Sequence, residues 1–131
     1  MTRRAHAQRG SVAVEYAIVL STLLLITLGI IDCGRLLWSY ATLHRATEAA
    51  ARCGAVDPVT CGTPSQIESY AVSQAFGMQI NASAFSASAA SCGMSVTGHK
   101  DFVFVIPWLS SGGKPEGPSS LMLTATSCYP K

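Results

Sequence analysis

Glu15 is the only charged residue between Arg9 and Asp32. Ionisable side chains at membrane depth are rare and come with a partner or a task, since burying one costs roughly 2.5–3.5 kcal/mol on insertion scales. The chemistry such a carboxylate can do is pairing with a cation, on its own chain or on a neighbour. The cysteines are the second reactive set. Cys33 reads as a free thiol beside the apolar run, whereas Cys53, Cys61, Cys92 and Cys128 form an even set further on. An even set in a small exported domain implies disulfides. Of the three pairings, Cys53 with Cys61 and Cys92 with Cys128 is preferred. The first closes a short loop around Asp57-Pro58, and the second ties the chain end to the start of the strand region. Zinc is the rival use, but the spacings are not of the C-x₂₋₄-C type and no histidine lies beside them.

Catalytic constellations are hard to find. His6, His44 and His99 are scattered, and no Gly-rich phosphate loop, H-E-x-x-H or G-x-S-x-G motif occurs. Asp101 and Glu116 read as solvated charges, and Asn81-Ala82-Ser83 fits a glycosylation pattern short enough to arise by chance. The expectation is a protein that is not an enzyme and uses no cofactor or metal. A net charge of +2 with 12% charged residues excludes a nucleic-acid binder, because the basic residues are dispersed apart from Arg3, Arg4 and Arg9. That cluster precedes the apolar run and reads as a topology signal.

The elements that position these residues begin with that run. Crossing about 30 Å of hydrocarbon takes roughly twenty helical residues, and Ser11 to Ile31 supplies them. The expected solvent is a lipid bilayer, with the N-terminus cytoplasmic and everything after Asp32 outside. A cleaved secretion signal is disfavoured because no small-x-small site follows Ile31, and Asp32 before Cys33 argues against a lipidated cysteine. Beyond the span, Leu36, Leu37, Tyr40, Leu43, Ala46 and Ala50 make one apolar helical stripe, and nothing breaks it until Gly54, with Asp57-Pro58 as a stop signal. Trp38 and Tyr40 read as an interfacial aromatic belt, and Glu48 with Arg52 as an exposed helical pair.

The second half reads as a small α+β domain. Thr63-Pro64-Ser65 caps a helix from Gln66 to about Phe76, closed by Gly77. Asn81 to Ala90 is Ser/Ala-rich and reads as loop; Phe102 to Ile106 and Leu121 to Thr126 read as strands, with Ser110 to Ser120 an exposed hairpin loop. Cys92 to Thr97 is a third strand or an extension of the first. The disulfide from Cys92 to Cys128 favours a single long bent strand from Cys92 to Ile106. The fold class expected is α+β: a long N-terminal transmembrane and stalk helix, then a small disulfide-stapled domain with one helix and an antiparallel sheet. The boundaries are a cytoplasmic leader over 1–10, the span and stalk over 11–53, and the extracytoplasmic domain over 54–131.

Arg9-Gly10-Ser11-Val12-Ala13-Val14-Glu15-Tyr16, the leucine-rich segment after it and Gly29-Ile30-Ile31-Asp32-Cys33-Gly34-Arg35 resemble the TadE-like pseudopilins. These are minor pilins of the tight-adherence (Tad) pilus, within the type IV pilin superfamily. The resemblance runs on through Ala46 to Arg52, Cys53 and Cys61 and ends in Leu123 to Pro130. It implies cleavage by a membrane prepilin peptidase between Gly10 and Ser11, leaving Glu15 fifth and Tyr16 sixth. It implies a role in assembling a Tad/Flp-type pilus for surface adhesion and biofilm formation. The partners it implies are the major Flp-type pilin, a second minor pseudopilin and the inner-membrane assembly platform. The implied location is the bacterial inner membrane, with the C-terminal domain periplasmic. The alternative from a different class is an uncleaved single-pass envelope adaptor or sensor.

Overall fold

The computed structural model describes residues 3–105 and 120–130, with side chains from Val12 onward. The element order is α1 (Arg3–Val56), α2 (Pro64–Gln74), a short 3₁₀ turn (Ala82–Ala84), β1 (Phe85–Ala90), β2 (Gly93–Val103) and β3 (Ser120–Tyr129). The strands form one antiparallel sheet in the order β1-β2-β3. The expected architecture is therefore present: a long apolar helix, a second helix and a three-stranded antiparallel sheet with two disulfides.

Helix α1 has 54 residues, about 80 Å at 1.5 Å per residue. It takes in Arg3 to Gly10 as well as the span, and runs past Gly54 to Val56, just before Asp57-Pro58. Gly54 does not break it, because a helix accommodates glycine at a cost near 1 kcal/mol. A Cβ at this position would lie 2.7 Å from Ile67 Cδ1, so the bare backbone lets α2 approach. Helix α2 starts with a capping box: Gln66 N–H donates to Thr63 Oγ1 at 3.4 Å, and Thr63 N–H donates to Gln66 Oε1 at 3.0 Å. Gly77 follows at φ +71°, the left-handed conformation that favours glycine after a helix.

The sheet lies antiparallel along the lower half of α1, and successive contacts mark the register. Gly54 meets Met94, Leu43 meets Gly98, the Arg35 guanidinium sits 5.3 Å from the centre of the Phe102 ring, and Asp32 meets Val105. The lengths agree. From Asp32 to Gly54 the helix rises about 33 Å, and from Met94 to Val105 a strand covers about 36 Å. The core is thin and built on small residues of α1: Leu43, Ala46, Ala50 and Ala51 pack with Ile67, Ala71, Phe85, Val96 and Phe102. A Cβ at Gly98 would lie 2.8 and 2.9 Å from the Phe85 ring and 3.0 Å from Leu43, so the strand can lie this close only with glycine there.

Four expectations are corrected. Asn81 to Ala90 is not loop: it holds the 3₁₀ turn and β1, whose serines and alanines have weak strand preference but pair residue for residue with β2 from Phe85↔Gly98 to Ala90↔Gly93. The strand expected over Phe102 to Ile106 ends at Val103, because the Val105 N–H is taken by the Asp32 carboxylate instead of a neighbouring strand. The stripe on α1 excludes Leu37 and Tyr40, which are 68% and 47% exposed, and includes Asp32 and Thr47, which are fully buried. Glu48 lies 3.3 Å from His44 rather than pairing with Arg52. The hairpin loop expected over Ser110 to Ser120 lies, but for its last residue, outside the described residues, as do Ile106 and Pro107.

Candidate functional site

The apolar half of α1 carries the residues singled out for processing. Gly10 and Ser11 lie within the helical backbone of α1, and Glu15 and Tyr16 project from it one turn further on, both exposed. From Val12 this helix has a window of mean hydropathy 2.2 with none of it buried, long and apolar enough to cross a membrane. Among the described residues no side chain of the folded domain covers this stretch. Glu15 stands about 25 Å along the helix axis from Asp32, where the domain begins. Gly10 to Tyr16 and the domain therefore occupy separate parts of one helix.

At the junction sits a cluster that the sequence reading passed over. Asp32 is fully buried, and its carboxylate accepts from the Val105 N–H at 3.0 and 3.2 Å and from Arg35 Nη1 at 3.0 Å. The guanidinium of Arg35 in turn covers the Phe102 ring, which meets Phe104 edge to face at 5.1 Å. One helical turn, Asp32 to Arg35, thus closes the end of β2 onto the helix. The available signal was an aspartate three residues before an arginine directly after an apolar run. Reading Asp32 only as the end of the span and as an argument against a lipidated Cys33 leaves that role unseen.

The opposite end holds two disulfides, one between the helix and its following turn and one within the sheet. Cys53 is bonded to Cys61 where α1 gives way to the turn, and Cys92, in the β1–β2 turn, to Cys128 on β3. This is the pairing preferred from spacing. The meander separates neither pair, because β2 is one long strand and Ser95 stands opposite Cys128. Cys33 is free and exposed. In the first turn, Asp57 Oδ1 accepts from the Val59 and Thr60 N–H groups. Hydrogen bonds from the Thr60 side chain and backbone, together with the Val59 N–H, hold the Asp57 carboxyl below its ordinary value of 3.8. Midway along, Thr47 donates to the His44 carbonyl at 2.8 Å, so the Ser127 hydroxyl at 3.1 Å is left to donate to Thr47.

An open groove of about 800 Å³ runs beside α1, lined by His44, Arg45, Glu48 and Arg52 together with the end of β3. Of its lining residues, Ser127 has its hydroxyl engaged with Thr47 and Cys128 is in a disulfide. Among the described residues no three His, Cys, Asp or Glu side chains converge on a point that would hold a metal. Trp38, placed on the aromatic belt, lies half exposed with its ring against Gly77.

Neither a curated protein nor a solved structure matches the chain significantly. A family match exists for one region, covering the apolar span, the Asp32–Arg35 turn and most of the stalk, and ending before the first disulfide cysteine. The resemblance read onward to Pro130 is thus matched only over this N-terminal part. Residues 10–52 match the family model described as TadE-like protein, and the similarity is confined to that third of the chain.

Proposed function

We propose that this chain is a minor pilin, or pseudopilin, of a Tad/Flp-type pilus that serves surface adhesion and biofilm formation. It is made as a single-pass precursor of the bacterial inner membrane, with the leader cytoplasmic and the disulfide domain periplasmic, and is cut by prepilin peptidase between Gly10 and Ser11. The observation that carries the proposal is the uncovered apolar half of α1 with Glu15 as its single charge, in a region that matches TadE-like proteins. A TadE-like region implies a Tad pilus-related role and Tad pilus components as partners; the family is not known for enzymatic activity.

The physics of Glu15 supports this reading. Cleavage creates an α-amine on Ser11 with an ordinary pKa near 8, cationic at neutral pH. A carboxylate one helical turn away, or on a neighbouring subunit, offsets the cost of holding that amine in hydrocarbon. Wrong registers leave both charges unpaired, so Glu15 acts as a registry device during extraction into the fibre. The major pilin, a second minor pseudopilin and the assembly platform are the partners that would read this register.

The test is the sequenced N-terminus of protein from sheared surface material. A mature chain starting at Ser11 is expected; an intact Met1 or Thr2 in a peptidase-positive cell refutes processing and favours the uncleaved envelope adaptor. Replacing Gly10 by a bulkier residue is expected to leave only precursor on an immunoblot. Glu15→Ala is expected to be cut normally yet to give fewer fibres, and wild-type piliation would refute the registry role.

A further inference from the structure

The outer face of the sheet changes character along its length. Across β2 and β3 the outward pairs run Ser95↔Cys128, Thr97↔Thr126, His99↔Thr124, Asp101↔Met122 and Val103↔Ser120. Hydrogen bonds join Thr97 to Thr126 and His99 to Thr124, both at 3.1 Å, so the middle of this face is satisfied and polar. Towards the Asp32 end it becomes apolar. Val103 is 57% and Val105 56% exposed.

That end is fixed in height by the Asp32 carboxylate, which accepts from the Val105 N–H at 3.0 Å. Asp32 follows Ile31, the last residue of the apolar run, which is itself 54% exposed. Val105 therefore stands level with the end of the span. Val103 is about 7 Å further from it and Asp101 about 13 Å, at roughly 3.3 Å per strand residue. The polar layer of a bilayer is about 5–8 Å thick on each side of its 30 Å hydrocarbon core. Val105 and Val103 fall inside this layer, and Asp101 falls in water.

We infer that the Asp32 end of the sheet is a lipid-contacting surface, in which Val103 and Val105 enter the outer headgroup layer of the bilayer that α1 spans. The inference rests on the membrane-spanning reading of α1. The apolar patch continues the apolar surface of Ile30 and Ile31, which are 67% and 54% exposed. Arg35 stands at the same level, half exposed, with guanidinium donors beyond the one on Asp32 for headgroup phosphates. Asp101 limits the depth of immersion. The domain thereby sits on the membrane at a fixed height instead of swinging above it.

The experiment uses the full chain in vesicles of phosphatidylethanolamine and phosphatidylglycerol with brominated acyl chains, which quench tryptophan by contact. Trp38 and Trp108 are replaced by Phe, and single tryptophans are placed as Val103→Trp, Val105→Trp, Leu25→Trp and Val59→Trp. Val59 is 86% exposed in the turn after α1, at the far end of the domain. Leu25→Trp is expected to be quenched most by deep bromines. Val103→Trp and Val105→Trp are expected to be quenched by shallow bromines at least about twofold more than Val59→Trp, as for a surface entering the headgroup boundary. If Leu25→Trp is quenched while both valine variants match Val59→Trp, the spanning reading stands, the inference is overturned and the patch belongs to a protein partner. If Leu25→Trp itself is unquenched, the spanning reading fails and the inference fails with it. Both test positions point outward and are half exposed, so neither substitution disturbs the core.

Discussion

Removing the Asp32 carboxylate tests how the domain is held to its helix. In Asp32→Ala the Val105 N–H loses its acceptor and the Arg35 guanidinium loses the partner at 3.0 Å. A hydrogen bond to a charged group contributes roughly 1.5–3 kcal/mol, and the Val105 bond reaches a fully buried carboxylate. The Arg35 side chain is 49% exposed, so its ion pair adds no more than about 1 kcal/mol. The expected loss is about 2–4 kcal/mol for Asp32→Ala, roughly half of that for Asp32→Asn, which keeps one acceptor, and under about 1 kcal/mol for Arg35→Ala. Urea unfolding in detergent micelles measures the totals, and hydrogen exchange locates the loss. Amides of Phe102 to Val105 should exchange faster while those around Val96, a fully buried residue, stay protected. A loss for Asp32→Ala within about 0.5 kcal/mol of zero, the range of ordinary surface changes, refutes the latch. So does an Arg35→Ala variant as damaged as Asp32→Ala, since the cation would then be the principal holder.

The two disulfides close loops of different length, with sequence separations of 8 and 36. Loop entropy gives about 2.6 kcal/mol for the Cys53–Cys61 pair and about 3.8 kcal/mol for Cys92–Cys128; serine pairs compared by urea denaturation should keep that order, and an unchanged midpoint on full reduction would refute the staple. Gly98→Ala drives a methyl against Phe85 and Leu43 at 2.8–3.0 Å, and should cost about 1–3 kcal/mol by overpacking, read as a lower unfolding midpoint. Because the Asp57 carboxyl titrates below 3.8 in the folded chain, its stabilisation is complete above that ordinary value and is lost as pH falls through the lower folded value. Asp57→Asn should therefore lower the melting temperature at neutral pH and converge with the unsubstituted chain in acid, flattening the acid limb of the profile; an unchanged acid limb would contradict the turn's role.

What the sequence revealed follows from strong local signals. The span, the capping box at Thr63 and Gln66, the closing Gly77 and the β-branched run near Phe102 each carry their own physical cause within a few residues. What it hid depends on partners distant in the chain. β1 is a strand because β2 offers it a ladder, not because Phe85-Ser86-Ala87-Ser88 prefers to extend. Asp32 and Thr47 are buried polar members of a helix face, and a search for apolar periodicity skips them in favour of Leu37 and Tyr40. Thr47 is accommodated by Ser127, eighty residues further on, which no local pattern announces. The Gly10-to-Glu15 pattern is visible as a motif, since a lone acid at a fixed distance from a glycine needs no fold to be seen.

The antiparallel course of β2 along α1, packed from Met94 to Phe102 and fastened by a carboxylate at Val105, has a mechanical consequence. A load applied to the sheet is shared in shear across all the contacts from Met94 to Val105, with no single bond peeled at a time. Tension on the sheet therefore arrives at α1 as a pull along the helix axis.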